Sequence, residues 1–204
     1  MNTPAASRRA SPLPVDERRA LLVAATIPLL MEHGRQVTTR QIAQAAAVAE
    51  GTIFRVFPDK DGLIDASVAA ACDPSRMLGE LAAVDLRLPL TERVTRVVDI
   101  MQRHLSVVLK VMVAVRVDRP REDMEAHRQG RHERDELARA AVERVLAPDA
   151  DQFTLPVGDV ARLLRLLTFT GSHPLISQGD MLTPQQITSV VLDGVRRPSA
   201  RTPS

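Results

Sequence analysis

The stretch from Thr38 to Lys60 constrains this chain more than any other part of it. A pair of threonines, Thr38 and Thr39, stands where a helix needs a hydroxyl cap, and Ile42 and Ala43 follow as an inward apolar face. Ala45, Ala46, Ala47 and Ala49 then remove the side-chain bulk that would hold a neighbouring helix away. Two short helices that cross closely after a tight turn are predicted, the second running from about Glu50 to Phe57.

Helical spacing dominates the rest. Asp16 begins a helix on which Ala20, Val23, Ile27, Leu30 and Met31 recur, and Gly34 stops it after His33. Pro28 lacks an amide donor and crowds the preceding turn, so a kink or local break is expected near Ala24 to Ile27. Leu63 to Ala71 continue a helix opened by Pro58, Asp59 and Lys60, which Asp73-Pro74 ends or bends. From Val107 to Val117 the β-branched residues suggest a strand, yet the run joins Val94, Val97, Val98 and Met101 without a breaker, and helix is assigned from Thr91 onward. Arg121 to Arg144 read as a solvated helix that turns amphipathic at Leu137, Ala138, Ala141, Val142 and Val145. The final helices carry Val160, Leu163, Leu164 and Leu167, and then Ile187, Val190, Val191 and Val195, with turn formers from Gly171 to Pro184 between them.

No strand is required, so the fold class is all-α. The predicted organisation is a flexible basic arm over 1–15, an N-terminal helix-turn-helix domain over 16–62, a larger helical domain over 63–197 and a tail over 198–204. Arg8 and Arg9 in the arm suit either an unordered tail or a groove contact.

Composition excludes several functions. The one cysteine, Cys72, rules out an internal disulfide and a cysteine-based zinc site, and reads as a buried structural thiol in a reducing compartment. No apolar run approaches a membrane span and the start lacks a secretory segment, so a cytoplasmic protein is expected. His33, His104, His127, His132 and His173 make no metal-binding pair, and neither a nucleophile elbow nor a glycine-rich phosphate loop is present. An enzyme, a metal and a cofactor are therefore not expected. Net charge is only +2, so contact with nucleic acid must come from local placement of cations.

Two tightly crossed helices suit a DNA groove: in a helix-turn-helix the second lies in the major groove while the first crosses the phosphate backbone. The segment resembles the N-terminal DNA-binding domain of the TetR family of regulators, on whose pattern Ile42, Ala43, Ala46, Val48, Gly51, Thr52, Phe54, Phe57 and Lys60 fall. The resemblance implies three N-terminal helices for DNA, a linking fourth, and a C-terminal bundle for a ligand and a dimer. Three positions depart from it. Ala47 replaces the usual turn glycine, Ala49 the usual serine cap, and Phe54 the more frequent tyrosine, whose hydroxyl would reach a phosphate.

Site roles follow from position and chemistry together. Thr38 or Thr39 caps the first helix and offers donors to phosphate, Lys60 clamps a second phosphate or is simply solvated, and Arg40 is a further phosphate candidate. Gly51 lets the backbone approach DNA, and Thr52 touches a phosphate or a thymine methyl. Arg55 is the expected guanine reader. Glu50 either accepts from a cytosine amino group or compensates the helix dipole, and Phe57 belongs to the core with Ile42 and Leu63.

The expected partners are double-stranded operator DNA, a second copy of the chain and a small-molecule effector, with no membrane. Met101, Leu105, Val108 and Met112 recur along one face, which is either core or the wall of the pocket that the resemblance implies, with His104 and Arg116 as its polar groups. An apolar or amphipathic ligand with an acidic end would suit them. The last two helices are apolar over more than one face, and Val160, Leu163, Leu164, Leu167, Ile187, Val190, Val191 and Val195 are the expected dimer interface. Together these give a ligand-responsive repressor that binds a palindromic operator as a homodimer. The alternative is a helical protein-interaction module without DNA binding.

Overall fold

The computed structural model describes residues 14–115 and 124–195, with side chains from 134 onward in the second stretch. Eight α-helices and no strand occur among the described residues. The arm residues Arg8 and Arg9, Arg116, the side chains of His127 and His132, and the tail lie outside them.

The chain divides into two compact units, Met1–Ala71 and Cys72–Ser204. In the first, α1 (Val15–His33) ends at Gly34, whose φ of 57° would strain any residue with a Cβ. The helix is continuous through Pro28, with no break at Ala24 to Ile27. Its buried positions, Leu22, Thr26 and Leu30, lie on both sides of the proline and anchor both halves. Of the predicted stripe Leu30 is buried, whereas Ala20 is exposed and Val23, Ile27 and Met31 are half-buried, Leu22 and Thr26 taking the other inward places. Thr26 is why the spacing misled. Its hydroxyl donates to the Leu22 carbonyl at 2.7 Å, so a polar residue fills a core position without an unmet hydrogen bond.

Two short segments follow, α2 (Thr39–Ala45) and a 3-10 helix (Glu50–Arg55), before α3 (Lys60–Ala71) returns across α1. Ile42, Ile53, Phe57, Leu63 and Ile64 close the core, and the Arg19 guanidinium lies 4.3 Å from the Phe57 ring centroid. The first compact unit extends to Ala71, with Leu63, Ile64, Ser67 and Ala71 buried.

The second unit contains α4 (Ser75–Ala82), α5 (Leu90–Val115), α6 (Met124–Leu146), α7 (Val157–Ser172) and α8 (Pro184–Val195). Its core runs from Met77 and Leu81 through Val94, Val97 and Val98 to Val142, Val160, Leu164, Ile187 and Leu192. Leu137, expected inside, is 56 % exposed, since Ala138, Val142 and Val145 form the inner line of α6. Cys72 is only half-buried. Arg93, which charge patterning gave no reason to bury, is 2 % exposed, donates to the Val145 carbonyl at 2.8 Å and pairs with Asp149.

Candidate nucleic-acid interface

Thr38 is the cap of α2. Its hydroxyl oxygen accepts from the Gln41 amide at 3.2 Å, while the Gln41 side-chain oxygen accepts from the Thr38 amide at 2.8 Å, so two otherwise orphaned backbone donors are met reciprocally. Thr39, one position on, donates its hydroxyl to the Glu50 carboxylate. That bond ties the start of α2 to the start of the 3-10 helix. Glu50 therefore has a structural partner that sequence reasoning missed, because the contact spans the turn.

The turn itself is a left-handed helix ending made with alanine. The Val48 amide donates to the Ala43 carbonyl at 3.0 Å and the Ala47 amide to the Gln44 carbonyl at 3.1 Å, the paired bonds of a Schellman motif. Ala47 carries the left-handed residue, with φ 53°. An alanine thus occupies a left-handed position, the one at which the resemblance implies a turn glycine. Ala49 caps the 3-10 helix with no side-chain hydrogen bond, only its carbonyl accepting from the Thr52 amide at 2.8 Å.

The second segment is 3-10 and ends at Arg55, where an α-helix reaching Phe57 was expected. Without a capping side chain, and with β-branched Thr52 and Ile53 at its centre, so short a helix tightens readily. Residues three apart then share a row. Ile53 is fully buried while Gly51, Phe54 and Arg55 are exposed and Thr52 is half-exposed, so the rows Gly51–Phe54 and Thr52–Arg55 face outward. A Cβ built on Gly51 meets nothing within 4 Å, which leaves bare backbone open to an approaching ligand.

Cations flank this surface. Arg40 is exposed on α2, and Lys60, at the head of α3, donates to the Arg35 carbonyl at 3.1 Å. One of three ammonium donors is thereby used, and the charge is held in place rather than loose. Arg35 itself is paired with Asp61 and Asp65.

In the second unit the expected ligand wall is only partly one surface. Met101 is buried in the core, because α5 turns it toward Val97 and Val98, whereas Leu105, Val108 and Met112 are half-buried. Burial holds the His104 imidazole below its usual pKa, with the Asp73 carboxylate pulling the other way. Hydrogen bonds from the Ser75 side chain and amide in turn lower Asp73. A shallow cleft that the sequence did not suggest lies between α5 and α8, lined by Thr91, Thr95, Thr188, Ser189 and Asp193.

The expected dimer residues separate into two faces. Val160, Leu164, Ile187, Val191 and Val195 are buried in the unit's own core, and Leu167 packs against it. Leu163 and Val190 are outward, 42 % and 61 % exposed, with Leu166, Phe169, Leu175, Ile176 and Met181. On α7 the inner line advances by four residues from Val160 to Leu164 and the outer by three from Leu163 to Leu166 and Phe169. A stripe defined only by apolar type merges the two.

Residues 22–67 match the family model of the bacterial regulatory proteins, tetR family. Solved structures share the fold. A TetR transcriptional regulator from Streptomyces coelicolor aligns with a TM-score of 0.56 and 21% identity, covering 89% of this chain and 99% of its own. The ketosteroid transcriptional regulator of Mycobacterium tuberculosis aligns at 0.54 and 20% identity, over 94% and 100% of the two chains. A transcriptional regulator from Rhodococcus aligns at 0.55 and 16%, over 89% and 99%. Residues 22–67 thus carry the N-terminal domain of the bacterial regulatory proteins, tetR family, and the chain shares its all-helical fold with solved transcriptional regulators.

Proposed function

We propose that this regulator binds a palindromic operator as a homodimer and represses transcription until a small effector occupies its second unit. The carrying observation is the outward face of residues 50–55: bare backbone at Gly51, a hydroxyl at Thr52 and an exposed guanidinium at Arg55, set after a capped α2. Arg55 reads guanine, Thr52 and Lys60 hold phosphates with Arg40, and the backbone at Gly51 comes close to the duplex. Residues 16–71 serve DNA, and the helices from α4 onward serve ligand and dimer. Leu163, Leu166, Phe169 and Val190 meet their copies across a two-fold axis, which sets two recognition segments about one DNA turn, roughly 34 Å, apart. Leu105, Val108, Met112 and His104 face an apolar or amphipathic effector with an acidic end.

Fluorescence anisotropy with a random-sequence duplex, titrated at several salt concentrations, tests the reading. Affinity should fall linearly on logarithmic axes as salt rises, because phosphate neutralisation releases counterions. A protein that binds no duplex at low salt would remove DNA from its function.

A further inference from the structure

We infer that Phe54 reads a thymine methyl group, so that the operator half-site contains a thymine chosen by this ring as well as the base chosen by Arg55. The inference rests on the DNA-binding reading and adds a specificity contact to it.

Within residues 38–57 every other large apolar side chain is at least half-buried: Ile42, Ile53 and Phe57 lie in the core, and Val48 and Val56 are half-covered. Phe54 alone is 54 % exposed. Among the described residues no ring or cation packs on it, in contrast to Phe57, which lies beneath Arg19. The 3-10 repeat places Phe54 in the row of Gly51, where no side chain stands between the ring and whatever approaches. Arg55 is in the next row with Thr52, so ring and guanidinium address different base pairs.

Chemistry narrows the ring's target. It has no donor or acceptor, so it cannot replace the phosphate contact a phenolic hydroxyl would make, nor bond to a base edge. The apolar group on the major-groove edge of B-DNA is the C5 methyl of thymine. Glu50 supports the assignment by exclusion. Glu50 is itself exposed, but its carboxylate is engaged by the Thr39 hydroxyl across the turn, which leaves that oxygen less able to accept from a base.

The probe is a duplex recovered from a random-sequence pool by the full-length protein, with each thymine replaced in turn by deoxyuridine, which deletes only the methyl. The wild type should lose roughly three- to tenfold in affinity at one thymine per half-site and be indifferent elsewhere in the groove it reads. Phe54→Ala should bind the parent duplex more weakly and ignore that substitution, while Phe54→Leu keeps part of the discrimination. Circular dichroism confirms that both variants are folded. If no thymine is sensitive, or if Phe54→Ala retains the full methyl penalty, the ring is not the reader. If the pool yields no enriched duplex, the DNA-binding reading itself falls.

Discussion

The two units of this chain treat apolar surface in opposite ways. Among the described residues of the first, the exposed large apolar side chains are Val15, Leu21 and Phe54, and the exposed residues of the turn are otherwise small or polar. In the second, α7 and α8 with their connection leave Leu163, Leu166, Phe169, Leu175, Ile176, Met181 and Val190 outside. A surface that meets a hydrated, charged polymer works through a few placed polar groups. One that meets a copy of itself must bury apolar area. The contrast is what the proposed division of labour requires.

The largest expected effect breaks the comparison inside α7 and α8. Leu164→Glu with Val191→Glu places two charges in the second unit's core, where both side chains are almost fully buried, and should cost more than about 4 kcal/mol, enough to unfold the unit. Leu163→Glu with Val190→Glu, one residue earlier on each helix, should leave a folded chain that sediments as a monomer and binds a palindrome much more weakly. Circular dichroism and analytical ultracentrifugation separate the outcomes. A dimeric Leu163→Glu, Val190→Glu protein would move the interface off this face.

A second difference is charge inside the core. Among the described residues, the buried polar side chains of the first unit are Thr26 and Ser67, each donating to a carbonyl four residues back, at 2.7 and 2.8 Å. The second unit buries Arg93, paired with Asp149 and bonded to the Val145 carbonyl, while its Nε finds no partner. Asp149→Ala should cost about 3 kcal/mol by leaving a buried guanidinium without its counter-charge. Arg93→Met added to it should recover most of that loss, since the orphan charge is then gone. Urea denaturation of the single and double variants measures both, and an equally damaging double variant would mean that Arg93 acts by shape rather than charge.

These contrasts also mark what could be read in advance. The helix-turn-helix was legible because backbone geometry dictates residue type there: a threonine cap and the closely packed Ala43 and Ala46 were read from the residues, whereas the turn position at Ala47 came from the resemblance and the part of Gln41 in the cap was not read. Helix over strand at Val107 to Val115 was legible from continuity alone. The Thr39–Glu50 bond was not, since its partners are eleven residues apart and neither sits on a helical repeat of the other. Arg93 was missed although its position carried a signal, a charge on the same face as Leu90, Val94 and Val97. The expected interface residues fall on two faces because burial within the chain and burial between chains select the same residue types. Only a subunit's own packing shows which line of a fully apolar helix is left over.

The smallest effect sharpens the turn itself, through opposite glycine exchanges on either side of Glu50. At Ala47, φ of 53° crowds the Cβ against the backbone, and glycine relieves that crowding while giving back some unfolded-chain entropy. Ala47→Gly should therefore raise stability by about 0.5–1 kcal/mol. Gly51 is the reverse case: its φ is not positive, and a Cβ there meets nothing within 4 Å, so Gly51→Ala should be neutral or stabilising by up to about 1 kcal/mol. Yet the added methyl points from the outward row on which DNA is proposed to sit. Affinity for duplex should drop in Gly51→Ala and stay unchanged in Ala47→Gly, because the Ala47 exchange alters only the turn. Chemical denaturation and anisotropy titration of the two variants decide it. A Gly51→Ala protein with undiminished affinity would show that this backbone does not approach the duplex closely, and would shift the contact to the Thr52–Arg55 row.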